Sequence, residues 1–467
     1  MRNAGRWLGA LVLTALAPAA LGAAVLEVPG GHPTIKSAVS RAAPGDVVVV
    51  DDGVYLEKNI VVAAAVTVRA RNPYGAVIYG SRREGDAIFI VREAARIEGF
   101  VLRNSDVGIE QRGGPDARWE ASDLAFFDCM RAVSINDPET NSGSAVIRRV
   151  AIFGFPNSQG LSTNDADRMV ASQCLIVGCG VAFQGYDHLF FEVADTWVID
   201  CAMAFDENTS HRPVPPATSR IGRTGDVRVT GSASLKEPGR LGELESFFRT
   251  ALFAPGPGGA GREAAPAKRA LMALVRGRVL GAAGFGNEAA RSYAAARSAA
   301  ERAGSKEMVW RAMTGAARIA EGAGDADEAL ARYEEAAALL EDWLPDLAVG
   351  IYRIDFLDEK MPVFESIVRL LLERHRAEPG GGWAERAFLR AEGSKLLATR
   401  FRTGPDGAKQ GGGRARPEAA GSIVSLQTAL QDPDLAAAEK TRLIALLENA
   451  EEEYHTGLVE AEAAVAG

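Results

Sequence analysis

The segment that decides the fold is FFDCMRAVSI, at residues 126–135, because its arrangement of residue types recurs in four other places. Each copy has two apolar residues, a polar or glycine position, one recurring position and a second small apolar run. The copies are VLRNSDVGI (101–109), FFDCMRAVSI (126–135), IFGFPNSQGL (152–161), IVGCGVAFQG (176–185) and VIDCAMAFDE (198–207). The recurring position holds Asn104, Cys129, Phe155, Cys179 and Cys201, at steps of 25, 26, 24 and 22 residues. Steps of this length, with short strands in each unit, are typical of a β-solenoid.

Short apolar runs elsewhere in the first half of the chain support this prediction. They include VVVV (47–50), VTVRA (66–70), AIFIV (87–91) and TWVID (196–200). Turn-forming residues flank these runs, as is typical of strands. We therefore predict a parallel β-helix over residues 25–231, with coils stacked at the strand spacing of about 4.8 Å. Cys179 and Cys201 would then lie one coil apart, either as stacked thiols or as a disulfide.

The start of this region resembles a known family. PTIKSAVSRAAPGDVVVVDDGVYLEKNIVV (33–62) is similar to the opening of right-handed parallel β-helix proteins of the pectin-lyase-like superfamily. In those proteins a short helix covers the N-terminal end of the solenoid. The resemblance implies that Ile35, Ala38 and Val39 face the first coil. It extends over about residues 25–231, and it implies a fold rather than an activity.

The second half of the chain is rich in Ala, Glu, Arg and Leu with helical spacing, and a Gly- and Pro-rich linker over residues 232–265 precedes it. DADEALARYEEAAALL (325–340) resembles the second helix of a tetratricopeptide repeat, and Trp310 lies where the first helix often has its aromatic residue. The period from Tyr293 to Tyr333 is 40 residues, longer than the usual length of about 34. We predict TPR-like helical repeats over residues 266–403, a disordered Gly-rich linker over 404–421 and a C-terminal helical segment over 422–467.

A further resemblance concerns the last predicted helix pair. DFLDEKMPVFESIVRLLLERH (355–375) and AERAFLRAEGSKLLATRF (384–401) are similar to the helical region before the caspase-like CHAT peptidase domain of many bacterial proteins. The positions that carry the resemblance are Phe356, Lys360, Val363, Phe364, Ala387, Phe388, Glu392, Ser394 and Lys395. The resemblance implies a role beside a peptidase. No His-Gly and Cys dyad region follows, so we expect no peptidase activity from this sequence.

Charge and the N-terminal residues limit the class of protein. The formal net charge of −9 over 467 residues argues against a nucleic-acid-binding protein, which normally shows a basic excess. MRNAGRWLGALVLTALAPAALGAA (1–24) has a positive start, an apolar run and small residues near its end. This pattern predicts a signal peptide and a secreted or periplasmic mature protein, with no membrane association after cleavage.

Four polar residues are the candidate site residues of the β-helix: Asp137, Asp165, Asp167 and His188. STNDADRM (162–169) loosely resembles the Asn-Thr-Asp stretch of polygalacturonases, and NDPET (136–140) resembles the Asp-Pro-His-Glu motif of alginate epimerases without its histidine. Glycosidases need paired carboxylates, and the three aspartates are also a candidate calcium site. The alternative is that these residues form turns between coils.

Two main hypotheses for function therefore remain, beside a third, a carbohydrate-binding sensor without turnover. The favoured one is a secreted non-catalytic scaffold, in which the β-helix wall binds a glycan or a protein and a groove in the TPR-like repeats binds a protein partner. Half of a set of aromatic residues would point outward and contribute: Phe126, Phe127, Phe190, Phe191 and Trp197. The alternative is a polysaccharide lyase, hydrolase or epimerase that acts on an acidic glycan through the four candidate residues. Calcium is the one cofactor considered.

Overall fold

The computed structural model describes residues 23–112, 118–136, 143–164, 168–186, 190–208, 221–254, 265–344 and 353–403. These residues form a parallel β-solenoid of about seven turns, followed by a region that contains eight helices. The predicted order of a parallel β-helix and then a helical domain is confirmed. The predicted signal peptide, the linker over 404–421 and the C-terminal segment lie outside the described residues, except for residues 23 and 24.

The solenoid has three faces, and every strand pairing in it is parallel. The first face contains β1 (Val25–Val28), β2 (Val47–Val50), β5 (Val66–Ala70), β8 (Ala95–Glu98), β15 (Arg168–Ser172) and the first halves of the long strands β11 (Arg118–Phe127), β13 (Ser144–Phe153), β18 (Phe190–Ile199) and β20 (Gly222–Thr230). The second face contains β3 (Gly53–Leu56), β6 (Ala76–Tyr79), β9 (Val101–Arg103), β16 (Leu175–Val177) and the second halves of those long strands. The third face contains β4 (Ile60–Val62), β7 (Ala87–Val91), β10 (Val107–Gln111), β12 (Arg131–Asn136), β14 (Gln159–Asn164), β17 (Val181–Tyr186) and β19 (Met203–Asn208).

Single residues in the left-handed region turn the chain at two of the three corners. Between the first and second faces, φ is 54° at Asp123 and 45° at Asp195. Between the second and third faces, φ is 51° at Asn104, 57° at Asp128 and 54° at Asp200. Asn and Asp tolerate this region better than other residues with a side chain. One such residue bends the chain without lengthening the coil, so successive coils stay in register.

The structure corrects two members of the recurring position, which lies at the corner between the second and third faces. Leu102 pairs with Phe126, so Cys129 stacks on Ser105 rather than on Asn104. In the next coil two extra residues enter this corner, and Phe155 is half-buried while Ser158 is buried. The Oγ of Ser158 accepts a hydrogen bond from the Phe155 N–H at 2.9 Å. The inward positions therefore hold serine or cysteine, and all four cysteines are free thiols.

The short helix α1 (Ile35–Arg41) buries the three residues that were predicted to face the first coil, Ile35, Ala38 and Val39. Its first turn is held by the buried Glu57 carboxylate, which accepts the N–H groups of Ile35 and Lys36 at 2.9 Å each. Burial raises the pKa of Glu57 to about 7, although these hydrogen bonds lower it. The structure adds β1, a strand before this helix that the sequence analysis did not identify.

The helical domain begins with a 3₁₀ turn (Ser232–Lys236) and α2 (Arg240–Phe247), within residues that composition places in the linker. A π-helical turn (Phe248–Leu252) extends α2. The remaining helices are α3 (Pro266–Ala282), α4 (Gly286–Arg302), α5 (Lys306–Gly322), α6 (Ala326–Trp343), α7 (Arg353–Lys360), α8 (Pro362–Ala377) and α9 (Trp383–Thr403). Among the helices that the structure describes, none combines the length and apolar content that crossing a bilayer requires.

The helical domain packs on the second face of the solenoid, and the two share one apolar core. Phe127 and Phe153 stack on successive coils with ring centroids 5.1 Å apart, and the Arg278 guanidinium of α3 lies 4.8 Å from the Phe153 ring. Trp197 contacts Phe247 of α2 at 6.5 Å between centroids. These outward aromatic side chains are buried because helices lie over them.

We expect Phe153→Ala to lower the free energy of unfolding by about 3–5 kcal/mol, because it leaves a cavity in the core shared by the two domains. The control is Phe190→Ala, since Phe190 is 43% exposed on the first face, and it should cost about 0.5 kcal/mol or less. Urea unfolding of both variants measures the difference. Equal losses would show that the helices do not bury Phe153 in solution.

Candidate functional site on the third face

One outward-facing position on five successive coils of the third face forms a continuous row of polar side chains. The strand register pairs these residues in order, and we call them the polar row: Glu110, Ser134, Ser162, Gln184 and Asp206. The residue before each one, such as Val133 or Leu161, lies in the solenoid core. Strand alternation therefore directs the polar row away from the core. Glu110, Ser134 and Ser162 are nevertheless buried, whereas Gln184 and Asp206 are partly exposed. Neighbouring members are separated by about 4.8 Å, the spacing of parallel strands.

The same position is apolar on the earlier coils. Glu110 pairs with Ile90, which pairs with Val61. Ile90, Ala87 and Val107 form a small apolar cluster that is separate from the solenoid core, and Val61 packs against it. The outward strip of the third face is therefore apolar near α1 and polar from β10 onward.

A hydrogen-bonded group lies at the C-terminal end of the polar row. The Tyr186 hydroxyl donates to Oδ2 of Asp206 at 2.7 Å. The Gln184 amide donates to the Tyr186 oxygen at 2.9 Å and to Asp206 at 3.1 Å. Burial and the Asp206 carboxylate raise the pKa of Tyr186, so its phenol stays neutral over the physiological range. These groups are preorganised to donate and accept hydrogen bonds.

The N-terminal end of the polar row is neutralised by arginine. The Arg112 guanidinium lies 2.6 Å from a carboxylate oxygen of Glu110. At the beginning of strands β10 and β12, Arg131 of β12 pairs with Asp106, which directly precedes β10, at 2.8 Å. Each carboxylate in this part of the face therefore has its own cation.

The polar row does not supply the paired carboxylates of a glycosidase. Its two acids, Glu110 and Asp206, are separated by four coil steps, about 19 Å at the parallel strand spacing. Glycosidases place their two carboxyl groups about 5–10 Å apart. Within the described part of the chain there is also no group of three His, Cys, Asp or Glu residues that could hold a metal ion.

The four residues predicted from the sequence, Asp137, Asp165, Asp167 and His188, lie outside the described residues. The structure does place the residues that precede them. Asn136 pairs with Asn164, and Asn164 pairs with Tyr186, so the chain leaves the third face at one level on three successive coils. The expectations that the four candidates share one wall and that the aspartates bind calcium stay predictions.

The five aromatic residues proposed as contact residues divide between the two sides of the strands, as alternation predicts. Phe126 and Phe191 lie in the solenoid core. Phe127 and Trp197 point outward on the second face, where the helical domain buries them. Of the five, Phe190 is the exposed one, and it lies 5.1 Å from the Arg168 guanidinium on the first face.

Sequence reasoning missed a buried charged cluster between the solenoid and the helical domain. Lys360 of α7 is 0% exposed, and its Nζ donates to Glu307 of α5 at 2.9 Å and to the Tyr79 hydroxyl at 2.8 Å. The Tyr79 hydroxyl in turn donates to Glu307 at 2.6 Å. Phe356 and Lys360, two of the positions that carry the CHAT-region resemblance, both contact Tyr79 of the solenoid.

The charges in this cluster balance. Arg103 of the solenoid donates to Glu359 at 2.8 Å and to Asp128 at 3.0 Å. Arg311 donates to the same oxygen of Glu359 at 2.6 Å and also contacts Glu307. Three cations thus face three carboxylates. The cluster joins the domains and, with Lys360 fully buried, it is closed to a substrate.

The environment shifts the pKa values of this cluster strongly. Burial alone would raise the pKa of Glu307, but Arg311 and Lys360 outweigh it and lower the value to about 2. Burial lowers the pKa of Lys360 to about 8, with a further contribution from Arg311. At neutral pH both groups are charged inside the interface.

We expect acid to destabilise the protein through this cluster. The pKa of Glu307 is about 2 in the folded chain and about 4.3 in an unfolded one, so its stabilising effect is complete above about pH 4.3. The effect is lost as the pH falls from 4.3 towards 2. Glu307→Gln should lower the free energy of unfolding at pH 7 by about 3–5 kcal/mol, because it leaves buried cations uncompensated.

Thermal unfolding of the wild type and Glu307→Gln between pH 7 and pH 3 tests this expectation. The difference between the two proteins should shrink as the pH falls. The control is Glu335→Gln, since Glu335 pairs with Arg297 at an exposed site and should change stability little. A gap that stays constant with pH would contradict the role assigned to Glu307.

Comparisons with known proteins do not assign the chain to a family. No protein-family model matches the chain, and no curated protein or solved structure matches it. The resemblances to pectin-lyase-like proteins, tetratricopeptide repeats and the CHAT-associated region therefore rest on the residues quoted for them.

Proposed function

We propose that the protein is a non-catalytic binding scaffold, and that its solenoid binds an extended polysaccharide along the polar row. The observation that carries this proposal is the repetition of one polar side chain on each of five coils, with Gln184 and Asp206 partly exposed at its C-terminal end. A row with a constant step suits a polymer of repeating polar units better than a compact ligand. A secreted or periplasmic location, which we also propose, would bring the protein to such polymers.

The charges of the polar row favour a neutral glycan. Its central members, Ser134, Ser162 and Gln184, are uncharged donors and acceptors. Its ends are Glu110 and Asp206, and an acidic glycan would meet their carboxylates without a basic group in the row itself. Arg112 offsets the charge of Glu110, whereas Asp206 has the Tyr186 hydroxyl and the Gln184 amide as its partners.

A catalytic role on an acidic glycan is the second candidate function. One observation favours it: the residues before Asp137, Asp165 and His188 share a register on successive coils, which would bring these loops to one edge of the third face. Calcium bound by Asp165 and Asp167 would then neutralise the carboxylates of the substrate. This candidate predicts product formation, whereas the scaffold predicts binding without turnover.

The proposal is tested by measuring the binding of neutral cello- and xylo-oligosaccharides and comparing it with the binding of an oligogalacturonate. Calorimetry with Gln184→Ala/Asp206→Ala, the two partly exposed members of the row, should show an affinity about tenfold weaker, since two hydrogen bonds of about 0.5–1.5 kcal/mol are removed. The matched control is Ser144→Ala/Ser172→Ala, which removes polar side chains from the outer side of the first face and should change nothing.

The same samples decide between the two functions when they are assayed for new reducing ends and unsaturated products. Product that disappears in Asp165→Ala/Asp167→Ala would establish the enzyme and reject the scaffold. Absence of both binding and product with every glycan would reject the polar row as a glycan site.

We also propose a protein partner for the helical domain, which we take to be TPR-like, but at a different surface from the one expected. Helices α3, α5 and α7 contact the second face, so the solenoid already covers this side of the repeats. A groove of about 380 Å³ lies between α8 and α9. Its floor includes Phe364, Val368 and the 38% exposed Leu372.

The rim of this groove indicates the kind of partner. Its charged lining residues are Arg369, Arg376, Lys395 and one acid, Glu365. Arg369 also pairs with Glu373, and Lys395 with Glu392, at exposed sites. An apolar floor with a basic rim suits an amphipathic helix that has acidic residues along its flank. Residues 440–463 of this chain have such a composition and give a convenient probe.

A labelled peptide of residues 440–463 should bind the protein, and Leu372→Glu should abolish the change in its fluorescence anisotropy. Leu389→Glu is the control, because Leu389 is 61% exposed on α9 and does not line the groove. Binding that tolerates Leu372→Glu would exclude this groove, and so would the absence of any binding.

In the same proposal α1 acts as the cap of a right-handed solenoid. Its buried residues Ile35, Ala38 and Val39 pack against the solenoid's first strands. A covered end cannot pair with another chain through exposed strand edges.

A further inference from the structure

Two cysteines occupy the same corner on the last two complete coils of the solenoid. Val181 pairs with Met203, which places Cys179 and Cys201 at equivalent positions between the second and third faces. The Ala202 N–H donates to the Cys179 carbonyl at 3.0 Å and holds this register. The coil step of about 4.8 Å lies within the range of about 4.4–6.8 Å between Cα atoms that a disulfide spans.

The chain's departure from the solenoid makes this pair accessible. After β20 the backbone enters the 3₁₀ turn at Ser232, so no further strand of the third face covers Cys201 among the described residues. A cleft of about 650 Å³ opens there, and its walls include Cys179, Cys201, Asp200, Ala202, Thr230 and Gly231. A small molecule can therefore reach Cys201.

The other two cysteines lack this access. Cys129 and Cys174 lie on coils that have neighbours on both sides, and both are buried. Burial raises the pKa of each thiol to about 12, so neither forms the reactive thiolate at neutral pH. They are the internal controls for any thiol chemistry of this protein.

We propose that Cys201 and Cys179 are a thiol pair that undergoes thiol–disulfide exchange with small disulfides in the cleft and closes to a disulfide between successive coils. Cys201 is the attacking residue because it is partly exposed to the cleft, and Cys179 is the resolving residue because it lies deeper.

The different surroundings of the two thiols support these separate roles. Each thiol donates weakly to a backbone carbonyl, Cys179 to that of Val177 at 4.0 Å and Cys201 to that of Ile199 at 3.7 Å. The neighbouring Cys179 lowers the pKa of Cys201, whereas Cys201 and burial raise the pKa of Cys179. Thiolate, and not thiol, is the nucleophile in exchange.

The reaction balances with the small disulfide as the oxidant. The Cys201 thiolate attacks one sulfur of that disulfide, whose S–S bond breaks to release one thiol and leave a mixed disulfide on Cys201. Cys179 then loses its proton, attacks the Cys201 sulfur and releases the second thiol. Two electrons and two protons pass from the protein to the small disulfide. The new bond closes a loop from residue 179 to residue 201.

Oxidised glutathione added to the reduced full-length chain tests the proposal. We expect loss of two of the four free thiols, a mass lower by two hydrogen atoms and a cross-linked peptide that contains Cys179 and Cys201. Cys179→Ser should accumulate one glutathione adduct on Cys201, because the resolving thiol is gone. Cys201→Ser should keep its three thiols free.

Serine is suited to these variants, because Ser105 and Ser158 already occupy this corner on other coils. Circular dichroism of each variant checks the fold. Separate adducts on both cysteines of the wild type, oxidation at Cys129 or Cys174, or no reaction at all would each overturn the proposal. Peptide mapping of the unmodified wild type gives this decision even where a variant does not fold.

Discussion

The structure depends on the residue-for-residue pairing of each coil with the next. Parallel strands pair along all three faces, so a residue type that recurs in the sequence becomes a straight row in space. The corner residues allow this pairing to continue from coil to coil. Asn104, Asp128 and Asp200 each turn the chain within a single residue and leave the register unchanged. The polar row, the inward serine and cysteine corner and the outward aromatic residues are three results of the same constraint.

The outward aromatic residues of the second face create a requirement that the solenoid cannot meet alone. Phe127, Phe153 and Trp197 would expose a contiguous apolar surface to water, so the helices that follow are part of the solenoid's core rather than an appended domain. The charged cluster adds specificity to this apolar contact. Lys360 and Glu307 are stable inside it when every charge has a partner, which restricts how the domains fit together.

The sequence was sufficient for the solenoid because strand repeats and turn residues are local signals. The alignment was wrong at Asn104, because it placed this residue 25 positions before Cys129 although paired residues of these coils are 24 positions apart. It was also wrong at Phe155, because two extra residues enter the corner of that coil. The charged cluster joins Tyr79 to Lys360, which are 281 residues apart, and no local pattern marks such a contact. The polar row did leave a signal in the sequence. An alignment of the repeats would have placed Ser134, Ser162 and Gln184 in one column, directly after the first two residues of the second apolar run. The candidates Asp137, Asp165, Asp167 and His188 had no such alignment to support them.

The path of the chain after the last coil has a mechanical consequence. Phe247 of α2 touches Trp197 near the end of the solenoid, whereas Phe253, a few residues later, touches Tyr74 near its beginning. The helical domain then continues alongside the early coils, where α5 and α7 contact Tyr79. A solenoid normally frays coil by coil from its ends. Here the last coil cannot peel away until the helices release the coil that contains β6. The two ends should therefore unfold together, and the molecule should unfold under force as one unit.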